Sequence, residues 1–302
     1  MSRALRRTLS AGAILAAVVA ATTALGALWA ERKMQRQLVL DVPAVPARAD
    51  AASIERGRYL FASRGCVDCH GANGAGRTFI DDANGLRVRG PNLTPGAYGV
   101  VAGYAGADWD RVVRHGIKRD GRPALIMPSE DYNRLTDDDL AALVAYVQQL
   151  PAVAGEPGEV RLPLLVKLLY AAGVVQDAYE KIDHTLPSQT PVTETVSAEH
   201  GAYVANMCMG CHGAKLAGGK IPGAPPDWPA ASNLTAAVDG AMHRYASAQQ
   251  FRQMLATGKR PDGSPVSTVM PFSSLQSLSE TDAHALYLYL KALPPVPTGS
   301  NR

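Results

Sequence analysis

Apolar positions fall into one long unbroken run and then into two sets of short helical stripes. The run, residues 9–30, holds 22 residues without a charge, Ala-rich, with Ile14, Leu15, Val18, Val19, Leu25 and Leu28 adding bulk. Roughly 20 such residues span a bilayer as a helix. A cleaved secretory signal opens the same way, and Ala24-Leu25-Gly26 offers it a cleavage site. The run outlasts the usual signal core of about 7–15 residues. Trp29 also stands where an interfacial aromatic belongs, so an uncleaved anchor is the favoured reading.

Beyond the run, spacing of i, i+3, i+7 predicts a helix over 52–63, with Ile54, Gly57 and Phe61 on one face and Leu60 beside them. A weaker helix is predicted over 197–207, and short ones over 109–114 and 248–256. The clearest stripe is Leu140, Leu143, Val144, Val147 and Leu150, opened by Thr136 with Asp139 three residues on and stopped by Pro151. Ser279, Asp282 and Pro294 frame its later equivalent. The Gly-, Asn- and Asp-rich stretch 71–95 has no period and reads as loop. No stretch alternates convincingly as a strand, so the fold class is all-α. Residues 31–51, with their Val-Pro-Ala-Val-Pro-Ala segment at 42–47, read as an extended tether. Residues 153–195 read as a linker whose apolar stretch 162–170 is expected to pack between domains.

These two sets of stripes are one pattern used twice. Asn92-Leu93-Thr94 recurs as Asn233-Leu234-Thr235, offset by 141 residues, and Met127-Pro128 recurs as Met270-Pro271, offset by 143. Trp109 answers to Phe251, and GIKRDG at 116–121 resembles GKRPDG at 258–263. Leu135, Leu143, Tyr146 and Leu150 match Leu278, Leu286, Tyr289 and Leu293, again at 143. A nearly constant offset means tandem duplication. The organisation expected is a basic start at 1–8, the apolar segment at 9–30, the tether, a first domain at 52–152, the linker, a second domain at 196–295, and a tail at 296–302.

Composition narrows the class. The chain has 302 residues, 47% hydrophobic, which suits about two domains with buried cores, and four cysteines are too few for a disulfide scaffold. The net charge of +3 divides into +5 over residues 1–40 and −2 over the remainder, which excludes a nucleic-acid-binding globular part. Aromatics are scarce at 6%, so something besides aromatic side chains is expected to fill the cores.

All four cysteines lie in Cys66-Val67-Asp68-Cys69-His70 and Cys208-Met209-Gly210-Cys211-His212. C-x-x-C-H is the attachment signature of c-type haem. Thiols three apart on a helical turn face one way and can form thioethers with one porphyrin, while the next residue offers its imidazole to the iron. A thioredoxin-type pair requires a βαβ context that is missing here. A shared zinc leaves both histidines without a role and the pairs 142 residues apart. A C-x-x-C disulfide loop is strained and leaves the histidines unexplained too. Two covalent haems are therefore expected, bound by Cys66, Cys69, Cys208 and Cys211, with His70 and His212 as iron ligands. Met127 lies 57 residues after His70 and Met270 lies 58 after His212, which makes them the expected sixth ligands, soft thioethers suited to ferrous iron. His115, whose repeat partner is Thr257, is the weaker alternative in the first copy. His184, His200, His243 and His284 read as surface or capping residues, and Met242 and Met254 as packing. Arg77, Arg87, Arg89, Lys215 and Lys220 are candidates to neutralise haem propionates.

On these motifs the chain resembles the bacterial dihaem cytochromes c over 52–152 and 196–295. Residues 90–95, 114–128 and 135–140 are similar to the cytochrome subunits of membrane-bound sugar and alcohol dehydrogenases, which usually carry three such motifs where this chain has two. The resemblance implies two tandem cytochrome c-like domains. It also implies that the carbonyl of Pro91, and of Ser232 in the second copy, meets the ligand histidine. The function expected is an electron carrier, not an enzyme, at the periplasmic face of the bacterial inner membrane. Its donor would be a periplasmic dehydrogenase or quinol-oxidising complex, and its acceptor a terminal oxidase or soluble cytochrome. The alternatives are a dihaem subunit of a haem–copper oxidase, a dihaem peroxidase, and a soluble periplasmic form after signal cleavage.

Overall fold

The computed structural model describes residues 3–300. It opens with α1 (Arg3–Met34), and Leu9–Met34 is long and apolar enough to cross a membrane, with no residue of its most apolar window buried inside the molecule. The basic side chains expected at 1–8 lie outside the described side chains.

The first half contains α2 (Ala51–Ser63), α3 (Cys66–His70), α4 (Gly106–His115), α5 (Ser129–Tyr132) and α6 (Asp137–Gln148). After the linker, with its helices α7 (Leu164–Ala171) and α8 (Ala178–Lys181), the second half repeats the series. It has α9 (Ala198–Ala205), α10 (Met209–His212), α11 (Ala248–Thr257), α12 (Phe272–Leu275) and α13 (Glu280–Ala292), with 3-10 turns at Asn206–Cys208 and Ala241–Arg244. Each opening helix crosses its closing helix at a glycine. A Cβ on Gly57 would lie 1.9 Å from the Ala142 carbonyl oxygen, and one on Gly201 would lie 2.0 Å from that of Ala285. Only a missing side chain allows that approach, and the pair of glycines sets the same crossing in both halves.

Two apolar clusters result. The first gathers Leu60, Phe61, Trp109, Val113, Tyr132, Leu140, Leu143 and Val147; the second gathers Val204, Met242, Phe251, Met254, Leu255, Leu286 and Leu290. The expected stripe of α6 is buried throughout. The expectation of loop over 71–95 is corrected. The stretch 71–95 contains a hairpin, β1 (Thr78–Asp81) and β2 (Arg87–Arg89), to which β3 (Glu159–Arg161) adds from the linker, all antiparallel. These strands are three or four residues long, too short for alternation to show in sequence.

The segments read as tether and linker are ordered against the first half. The Leu38 N–H donates to the Gly121 carbonyl at 2.8 Å, Val45 packs on the first cluster, and Arg48 pairs with Asp138 at 2.7 Å. The apolar stretch at 162–170 does not pack between the halves. Most of it forms α7, which lies on α1, with Leu168 against Gly26 and Lys167 paired with Glu31.

Candidate functional site

The first C-x-x-C-H stretch is the helical turn α3; the second runs from the end of the 3-10 turn, at Cys208, into α10, and each is released by a glycine with positive φ: Gly71 at 72° and Gly213 at 78°. Cys66 and Cys69 are three apart on that turn and so share a face, as do Cys208 and Cys211. All four are free thiols. Burial pushes them up to about 12 for Cys66, Cys69 and Cys208, and to about 11 for Cys211.

The histidines are set by backbone. His70 Nδ1 donates to the Pro91 carbonyl at 2.9 Å, and His212 Nδ1 to the Ser232 carbonyl at 2.7 Å, since a carbonyl oxygen can only accept. Burial lowers both imidazoles below their ordinary value, partly offset by those hydrogen bonds. The neutral tautomer with its proton on Nδ1 leaves the Nε2 lone pair available as a metal ligand. Met127 packs on the first cluster together with Cys66, and Met270 packs on the second with Cys208. Each half thus brings the first cysteine of its motif and the methionine of its Met-Pro pair to its own apolar core. Within the first core, Trp109 Nε1 is buried with no hydrogen-bond partner. An orphaned donor in an apolar, thioether-lined core suits a flat, largely apolar group that carries polar substituents. The residues present fit a haem in each half.

Other candidates are committed elsewhere. His115 Nδ1 lies 3.0 Å from His184 Nδ1, and its Nε2 lies 3.3 Å from Asp110, so it faces away from ligand duty. Arg87 is held by Asp81 and Glu159 within the small sheet. His200 is not at the surface: it is buried at 1% exposure, with Nε2 2.6 Å from Asp282. Met242 and Met254 are buried packing residues.

What the sequence did not reveal is how the two sites meet. The Thr136 side chain caps α6 by accepting from Asp139 N–H, and Ser279 caps α13 in the same way from Asp282 N–H. The reciprocal half of each capping arrangement is taken by a tyrosine from the other half of the chain. Tyr203 Oη donates to Asp139 at 2.7 Å and accepts from Thr136 N–H at 3.3 Å. Tyr59 Oη donates to Asp282 at 2.6 Å and accepts from Ser279 N–H at 3.0 Å. The haem motifs are crossed likewise: Asp68 accepts from Ser273 and Ser274 of α12, and Asp131 of α5 accepts from Gly210 N–H. Each half therefore touches the other half's motif through the short helix that follows its Met-Pro pair. Arg64, buried, closes the set with a 2.5 Å ion pair to Asp282. Burial alone would raise the Asp282 carboxyl, but Arg64, Tyr59 and His200 hold it at about 2. The available signal was the match of Tyr59 to Tyr203 at an offset of 144, which tells of equivalence but not of exchange.

Comparison with known proteins follows this duplication. The cytochrome c family model matches residues 54–151 and again 198–294. The chain is 29% identical over 277 residues to the fructose dehydrogenase cytochrome subunit of Gluconobacter japonicus, covering 82% of this chain and 54% of that one. It is 29% identical over 288 residues to the cytochrome c subunit of the quinone alcohol dehydrogenase of Gluconobacter oxydans, covering 84% and 57%. It is 27% identical over 279 residues to the gluconate 2-dehydrogenase cytochrome c subunit of Pantoea cypripedii, covering 82% and 60%. The chain spans a little over half the length of these relatives.

Proposed function

The chain belongs to the cytochrome c family, and we propose that it is a membrane-held dihaem carrier that relays single electrons at the periplasmic face of the inner membrane. A covalently held haem supplies one-electron chemistry at iron. The chain's own residues do the rest. Cys66, Cys69, Cys208 and Cys211 form the thioether links. His70 and His212 would hold the iron through Nε2, and Met127 and Met270 through sulfur, a donor set that would leave no position for a substrate. The observation that carries this reading is the backbone hydrogen bond on Nδ1 of each histidine, present in both halves. It fixes the tautomer and the ring plane, and a ligand that cannot swing keeps the geometric change between redox states small. The apolar clusters exclude water and favour the less charged ferrous state.

The relatives are cytochrome subunits of dehydrogenases, which supports a periplasmic dehydrogenase as the donor, rather than membership of a haem–copper oxidase. The acceptor would be a terminal oxidase or a soluble cytochrome. α1 is the anchor: its final turn and the residues just after it are built into the molecule, with Lys33 paired to Glu180 at 2.9 Å and Arg36 to Asp177 at 2.8 Å. Mild-detergent extraction tests the assignment. The chain is expected to co-purify with a dehydrogenase catalytic subunit and to become reduced when that enzyme's substrate is added. Turnover of hydrogen peroxide by the isolated chain would overturn it.

A further inference from the structure

The linker helix α7 has an exposed apolar face. Leu164 and Leu165 are 51% and 67% exposed, one turn before Leu168, which meets α1 at Gly26. The face of α1 turned toward the rest of the molecule runs through Thr23, Gly26, Ala27 and Ala30, small residues that permit close helix approach, and Ala30 is fully buried. All four belong to the uncharged run 9–30. At 1.5 Å per residue, residues 23–30 make up roughly the last 10 Å of that run. A bilayer that surrounds the run therefore reaches the helix packed on this end of it.

The polar side of the contact is sorted accordingly. Lys167 pairs with Glu31, just past the run, and Lys33 Nζ donates to the Tyr170 carbonyl at 3.0 Å. Arg36 and Tyr170 share Asp177 beyond that. Charge lies at the α1 terminus and beyond, while Leu168 lies at the Gly26 contact with Leu164 and Leu165 one turn before it on α7. This is the division expected of a helix lying in the boundary between headgroups and acyl chains.

We propose that α7 is a second membrane element, with Leu164 and Leu165 set in the acyl boundary of the bilayer that α1 spans. The proposal rests on the reading of α1 as a membrane span. Its consequence is mechanical: the linker between the two haem domains is itself seated on the membrane, so both domains are held at a fixed height and tilt rather than swinging on a tether.

The test uses the full-length holoprotein in vesicles of phosphatidylethanolamine and phosphatidylglycerol doped with a diazirine-bearing phospholipid. After photolysis, labelled positions are mapped by mass spectrometry. Carbene label is expected on residues 9–30 and on Leu164 and Leu165, several-fold above that on Val238, which is fully exposed in the second half. A Leu164→Glu/Leu165→Glu variant should lose the α7 label while keeping the label on 9–30 and an unchanged haem spectrum. Label on 9–30 but not on Leu164 and Leu165 overturns the proposal, meaning water, a second copy or another protein covers α7, and leaves the span intact. Label on neither overturns the span reading as well.

Discussion

The two cytochrome c halves share a fold but not a way of holding it. Residues 54–151 carry 12 basic and 12 acidic side chains, whereas 198–294 carry 7 and 6. The first half spends its charges internally, in pairs such as Arg56 with Asp139, Arg111 with Asp108, and Arg114 with Asp110 and Asp137. The second half has fewer such pairs and packs Met207, Met209, Met242 and Met254 in or against its apolar cluster, side chains that adapt to irregular gaps. Its motif is also more open, since Cys211 is exposed where Cys69 is half-buried. Trp109, with its orphaned N–H, stands in the first half where Phe251 stands in the second. After duplication, the histidine's carbonyl, the Met-Pro pair and the glycine crossing stayed matched. The surrounding shell was free to diverge. The halves should therefore bind the same cofactor in the same way at unequal potentials, with the second lower, because solvent exposure favours the more charged ferric state.

The largest test of that equivalence is to remove one attachment. Cys66→Ala/Cys69→Ala should halve the covalent haem per chain by intact mass, and Cys208→Ala/Cys211→Ala should remove the other half. If either pair abolishes both, the halves are not independent sites. Next in size is the contact between them. Arg64→Ala leaves Asp282 buried beside His200 without its cation, which should cost about 3–5 kcal/mol, read as a fall in the thermal unfolding midpoint. A change confined to the second half's transition would show that the halves unfold separately.

Ligand replacement comes third. Met127→Ala should lower one potential by on the order of 100 mV, equivalent to ~2.3 kcal/mol per electron, and Met270→Ala should lower the other. An unchanged low-spin spectrum in either variant would contradict the axial assignment. Acid titration follows. Asp282 has its folded value at about 2 against an ordinary 3.8, so its contribution of about 2 kcal/mol is complete above about pH 4. It is lost as pH falls through about 2, and Asp282→Asn should flatten that limb. The smallest effect expected is from Trp109→Phe, which makes the first half more like the second. It should lower the first potential by at most about 60 mV, or ~1.4 kcal/mol, and leave the second unchanged.

Much of this was legible in the chain. The cysteine motifs, the Met-Pro pairs and the capped stripe of α6 are local patterns, and local patterns survive in sequence. Helix periodicity placed α2 within a residue of its start at Ala51. What sequence could not carry was anything depending on which half meets which. Asp139 and Asp282 read as capping residues for their own helices, yet their carboxylates serve a tyrosine from across the interface. His200 looked like a surface residue because its partner Asp282 lies 82 positions away. The apolar stretch of the linker was visible, but nothing in it said that α1, more than a hundred residues earlier, was its neighbour.

The measurement that bears most directly on the account is electron paramagnetic resonance of the fully oxidised, detergent-solubilised protein, integrated per chain. Two low-spin ferric signals summing to two spins, with no high-spin component, are predicted for two closed His/Met sites. A high-spin signal, or a total of one spin, would contradict it.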